Sequence, residues 1–211
     1  MKKIYIIIVL LISITSMFII VNKNLVSDKK LVSYESLENK EYHDKTFNSL
    51  PDKEITILEA YRIGLGIANK YDKESELIFL NSVDDELASG YDGKKGNWQG
   101  IISLLNRDRR LLFVIEKGKL KSYFIIEGTN EQTIKDSYLK IDSSQIVKQA
   151  SKDFKLEPGK ESQFSSGYHF RIIRDEKNIF LSVDGEIDGK PAEIYYNPKN
   201  GKYMGHTSAN D

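Results

Sequence analysis

The chain has 211 residues, 31 basic against 31 acidic side chains, and no cysteine. Balanced charge, with no basic stripe interleaved with aromatics, argues against nucleic acid as a partner. Without cysteine there are no disulfides, no thiol catalysis, no thiolate metal site and no lipid-accepting residue for lipoprotein processing.

Lys2 and Lys3 precede an uncharged run from Ile4 to Val21 that is rich in isoleucine. A membrane-spanning helix needs roughly 17–25 apolar residues, and a cleavable signal has a core of about 7–15. The run fits the first better, and Ser13, Thr15 and Ser16 lie too early to mark a cleavage site. Residues 1–21 are therefore expected to be a signal anchor. It would hold the chain in a bacterial membrane through residues 4–21, as a single pass with the N-terminus cytoplasmic and the remainder extracellular. Secretion after signal cleavage is the alternative. Residues 22–52 are dominated by Lys, Glu, Asp, Asn and Ser with scattered apolar positions, and read as a flexible tether.

Residues 53–140 read as a first helix–meander unit. Thr56-x-x-Glu59 is a capping-box pattern, and Leu58, Tyr61, Leu65 and Ala68 follow at helical spacing. Gly64 and Gly66 each cost about 1 kcal/mol against alanine inside a helix. Their presence points to close approach to a sheet, or to an ordinary packing gap. Strands are expected at Glu76–Val83, Trp98–Leu105, Arg110–Glu116 and Leu120–Glu127. A polar, glycine-bearing loop over residues 84–97 separates the first two.

Residues 141–211 repeat the scheme. Asp142-x-x-Gln145 is box-like and leads a helix carrying Ile146, Val147, Ala150 and Phe154. Strands follow at Tyr168–Arg174, Ile179–Asp184, Pro191–Asn197 and Lys202–His206, with Gly185–Lys190 read as a turn. Aligning Thr56 with Asp142 places Ala60 on Ile146, Gly64 on Ala150 and Ala68 on Phe154. The expected fold class is α+β: an N-terminal transmembrane or signal helix, then two helix-plus-antiparallel-sheet units.

The capped helix Asp142–Phe154, the paired strands and the closing run from Glu193 to Tyr203 (EIYYNPKNGKY) resemble a PepSY-like domain. Asn200 stands where that family's closing hairpin usually has threonine. The first unit is a looser match, through Gly93–Trp98 and the Gly118-Lys119 hairpin, and the whole resembles exported tandem versions from low-GC Gram-positive bacteria. The resemblance implies an exported or membrane-linked binding module that regulates peptidases or contacts envelope components. It brings no catalytic residues.

Candidate chemistry is sparse. Asp184, Glu186 and Asp188 followed by Gly189 copy the opening of a calcium loop, but Tyr195 occupies the twelfth position, where a bidentate Glu is required. Asp84, Asp85, Glu86 and Asp92 read as a solvated acidic loop. His43, His169 and His206 show no metal-ligand spacing. Serine-elbow, zinc-protease and phosphate-loop motifs are missing, so no enzyme activity, cofactor or metal is expected. Aromatics are the remaining signal. Trp98, Tyr168, Tyr195 and Tyr203 are the candidate interaction surface, unless the two units pack face to face and bury them. The expected function is a membrane-anchored binding or regulatory module contacting an envelope protein or peptide. The alternative is a small-ligand or divalent-ion-binding envelope protein.

Overall fold

A computed structural model of the protein describes residues 52–84, 90–128, 132–162 and 165–208. The expected anchor, nearly all of the tether, and Asp85 and Glu86 lie outside the described residues. Among the described residues, no helix is long and apolar enough to cross a membrane.

A two-residue strand β1 (Ile55–Thr56) runs into helix α1 (Ile57–Ala68). The capping box forms as its pattern requires: Glu59 N donates to Thr56 Oγ1 at 3.3 Å, and Thr56 N donates to Glu59 Oε2 at 2.8 Å. Strands β2 (Ser75–Ser82), β3 (Lys94–Lys95), β4 (Trp98–Leu104), β5 (Arg109–Glu116) and β6 (Lys119–Glu127) follow. Helix α2 (Ser143–Phe154) is capped by Asp142, whose N donates to Gln145 Oε1 at 3.0 Å. Next come β7 (Gly159–Ser162), β8 (Ser165–Gly167), β9 (His169–Arg174), β10 (Ile179–Ile187), β11 (Lys190–Tyr196) and β12 (Tyr203–Ser208). Both helices have 12 residues and start one position after the aligned caps Thr56 and Asp142.

The α+β expectation of two separate helix-plus-sheet units is overturned. The described chain is mostly β, built on one eight-stranded antiparallel sheet in the order β12-β11-β10-β9-β2-β4-β5-β6, with two short α-helices. The reason lies in backbone pairing at the middle. The first strand of each meander, β2 and β9, leaves backbone groups unpaired along one edge within its own half, where β2 meets only Ile134, at Leu77. The two edges satisfy each other, with Leu80 opposite Ile172 and Asn81 opposite Arg171. Side-chain alternation within each strand is compatible with either arrangement and does not specify this one.

One row of partners crosses all eight strands: Tyr123, Phe113, Gly100, Leu80, Ile172, Leu181, Tyr196 and Tyr203. Its six central members are buried, and the helices cover this face. At α1 the approach is close: a Cβ on Gly64 would lie 2.5 Å from Phe113 Cζ. Gly66 has nothing within 4 Å of such a Cβ, so only Gly64 serves helix–sheet contact. The helices meet at their N-termini, where Ile57 N donates to Ser143 Oγ at 3.0 Å and Leu58 N donates to Asp142 Oδ1 at 3.2 Å. The α2 cap thus also satisfies amides of α1 that have no partner within their own helix.

The segment Asp184–Gly189 is strand and tight turn. β10 continues to Ile187, and Asp188 and Gly189, at φ 52° and 73°, form a two-residue hairpin turn of the kind that matches strand twist.

Candidate functional site

The sheet face opposite the helices is built by the alternate residues of the same strands. Phe79, Ile101, Leu112 and Phe124 are successive cross-strand partners on β2, β4, β5 and β6. Phe180 and Ile173 are partners on β10 and β9, one position along from the Leu80–Ile172 pair that joins the halves. Six strands therefore carry one apolar row. Five of its side chains are half-buried, while Phe124 is 40% exposed and Val114, beside the row, 36%. At a strand spacing of about 4.8 Å, the row from Phe180 to Phe124 spans about 24 Å.

The next row on this face is polar: Tyr195, Ser182, Arg171, Asn81 and Gln99 are consecutive partners from β11 to β4. Beyond it, Asp184 on β10 and Glu193 on β11 are direct partners. These residues form a compact cluster. Arg171 Nη2 lies 3.5 Å from Asp184 Oδ2 and 4.0 Å from Glu193 Oε1. Ser182 Oγ donates to Glu193 Oε1 at 2.6 Å, and Tyr195 OH donates to Glu193 Oε2 at 2.7 Å. Asp184 Oδ1 is buried and has no hydrogen-bond partner among the described residues. The Tyr195 ring meets Phe180 edge-on at 5.6 Å, linking the cluster to the apolar row.

Burial, then the neighbouring Glu193 charge, push the Asp184 carboxyl well above its usual range, with Arg171 acting in the opposite sense. Burial and Glu193 likewise raise the Tyr195 phenol above its ordinary value, so it stays a hydrogen-bond donor even in alkaline solution. With both carboxyls ionised, one guanidinium faces two negative charges. The arrangement suits an incoming cation or hydrogen-bond donor.

The four aromatic candidates fall in different places. Trp98 is fully buried, donates from Nε1 to Lys95 O at 2.9 Å and stacks on Phe170. Tyr168 is buried and donates to Leu156 O at 2.7 Å. Tyr195 belongs to the polar cluster of the open face. Tyr203 is 37% exposed on the helix-covered face, 4.8 Å from the Phe154 ring and bonded through its OH to His206 Nδ1 at 2.6 Å. The four are thus not brought together. His169 on β9 and His206 on β12 also stand apart, with β10 and β11 between them, and His169 Nδ1 bonds Ser82 Oγ at 3.1 Å. Among the described residues, no group of three His, Cys, Asp or Glu is placed to hold a metal ion.

Arg171, Ser182 and Glu193 are not among the sequence candidates, and Asp184 enters there only as the start of the calcium-loop pattern. Their shared signal is that each alternates with core residues in its strand, as Asp184 does after Val183.

No protein-family model and no curated protein matches the chain, so the PepSY-like resemblance has no family match behind it. Among solved structures, the crystal structure of a chain from Clostridium difficile 630, provisionally named a lipoprotein, is similar at a TM-score of 0.45 and 11% identity. The alignment covers 75% of this chain and 95% of that one.

Proposed function

We propose that the chain is a membrane-anchored, extracytoplasmic binding module that contacts an envelope protein or peptide through the open face of its sheet. The observation that supports this reading is the apolar row from Phe180 to Phe124, which no described helix covers and which ends in exposed Phe124. Exposed aromatic and aliphatic side chains on a rigid sheet provide contact area at low entropic cost. The uncharged run Ile4–Val21 supports the membrane location. Action by contact rather than by turnover is part of the proposal. Regulation of a peptidase, which the PepSY-like resemblance implies, is one form such contact takes.

A photo-crosslinking amino acid placed at Phe124 in intact cells tests the reading, with the exposed helix position Arg62 as control. A discrete adduct from position 124, lost on adding Leu112→Asp and missing from position 62, is the expected result. Equal adducts from both positions, or none from 124, would refute it.

A further inference from the structure

We infer that the open face takes a protein segment carrying a lysine or arginine, whose cation seats between Asp184 and Glu193 while neighbouring apolar side chains lie along the Phe180–Phe124 row. The inference rests on the docking reading above and adds the chemistry of the partner.

Three observations support it. The first is charge complementarity. Among the described residues, two carboxyl groups on paired positions of β10 and β11 face the Arg171 guanidinium, so ionising both leaves negative charge in excess there. A cation from outside restores the balance. The second is unequal satisfaction. Glu193 uses both oxygens, accepting from Ser182 and Tyr195, whereas Asp184 Oδ1 has no hydrogen-bond partner among the described residues. A lysine or arginine head brings donors of the kind that oxygen lacks. The third is continuity. Phe180, Ser182 and Asp184 lie on one side of β10, so the cation seat sits about 13 Å along that strand from the start of the apolar row. The Tyr195 ring, 5.6 Å from the Phe180 ring, lies between the two and supplies aromatic surface beside the aliphatic stem. A long basic side chain with apolar neighbours matches this sequence of surfaces. An acidic segment would meet two carboxylates.

The test uses the full chain in lipid nanodiscs and a displayed library of random 12-residue peptides as the probe. Selected peptides are resynthesised with each Lys or Arg replaced by Gln. Binding is read by fluorescence anisotropy to the unaltered protein, to D184N/E193Q and to L112D, all checked for folding by circular dichroism. Enrichment of apolar peptides containing Lys or Arg is expected. Removing the peptide cation or neutralising the acids should each weaken binding about tenfold, and doing both should cost little more than either alone. If L112D abolishes binding but neither the peptide cation nor D184N/E193Q matters, the cation seat is wrong and the docking face survives. If no peptide is selected, or selected peptides ignore L112D, the docking face fails and the inference with it.

Discussion

Gly64 and Gly66 sit two positions apart on α1, and the structure predicts opposite responses to alanine. Gly66 is exposed, and a Cβ there would meet nothing within 4 Å. Gly66→Ala therefore gains the helix propensity alone, about 1 kcal/mol. Gly64→Ala gains the same propensity but drives a methyl to 2.5 Å from Phe113 Cζ. The ring has no route of retreat toward the sheet. Phe113 is the cross-strand partner of Gly100, where a Cβ would also lie 2.5 Å from its Cζ, so the ring already occupies the space over that glycine. Overpacking a well-filled core costs about 1–3 kcal/mol, and a ring held from both sides belongs at the upper end. The net for Gly64→Ala is a loss of about 2 kcal/mol.

For a domain of this size, 1 kcal/mol moves the melting midpoint by about 2–4 °C. Thermal melts should show Gly66→Ala higher by about 2–4 °C and Gly64→Ala lower by about 4–8 °C. Phe113→Leu removes the ring edge and is the control for cause. In that background Gly64→Ala should lose at least about 1 kcal/mol of its penalty as a coupling term. Stabilisation by Gly64→Ala matching that by Gly66→Ala would refute the close-approach argument. So would an undiminished penalty in the Phe113→Leu background, which would mean that the clash lies elsewhere.

Ser143→Ala removes a hydroxyl that donates to Gly93 O and accepts from Ile57 N in a fully buried site. Leaving those backbone groups unpaired should cost about 1–3 kcal/mol in urea denaturation, and a neutral result would show that the contact between helix N-termini contributes nothing. Asp72 accepts from Glu74 N, Asn106 N and Asn106 Nδ2 at 2.9, 2.7 and 2.9 Å; burial alone would raise its carboxyl, but these bonds hold it below the usual value. Asp72→Ala should cost about 2–4 kcal/mol near neutral pH, with the difference from the parent shrinking as acid protonates the carboxyl, and a pH-independent difference would contradict the assignment. Asp184 behaves in the opposite sense. Its folded carboxyl is raised, so the folded state holds the proton more tightly, and that contribution is complete below the unfolded value near 3.9 and lost as pH rises through the folded value. Asn stands in for the protonated acid, so Asp184→Asn should match the parent in acid and gain on it as pH rises, measured by urea titrations in a pH series; a constant difference would rule this out.

The local elements were legible because they obey local rules. Thr56 and Asp142 cap their helices through the side chains three positions on, a relation fixed by helix geometry. Leu111, Phe113 and Ile115 are buried in alternation with more accessible neighbours, as a sheet with one covered face demands. The β7–β8 hairpin was not legible, since residues 159–167 are glycine, serine and charged or amide side chains apart from one phenylalanine, Phe164, and so carry no apolar periodicity. The joining of the halves was hidden for a different reason. Only two residue pairs of backbone partners, Leu80–Ile172 and Asn81–Arg171, turn two meanders into one sheet, and backbone groups are the same in every sequence.

The candidate site escaped notice through the same gap, sharpened by a misreading of Asp184. Followed by glycine and further acids, Asp184 reads as the last residue of the strand Ile179–Asp184 and as the opening of a calcium-loop pattern. In the structure β10 continues three residues further, and only the Asp188-Gly189 pair makes the turn. Asp184 thereby becomes an interior strand position, opposite His169 on one side and Glu193 on the other. Extending one strand converts a strand-end acid into half of a carboxyl pair, and register alone brings Arg171 and Tyr195 beside it. The residues of the site are individually ordinary surface choices. What distinguishes them is that three strands from one meander set a guanidinium, two acids and a phenol on one face, next to an apolar row that exists only because the second meander joins the first. Separating the halves would leave the acids in place and cut that row in two, so the surface proposed for binding is a property of the continuous sheet.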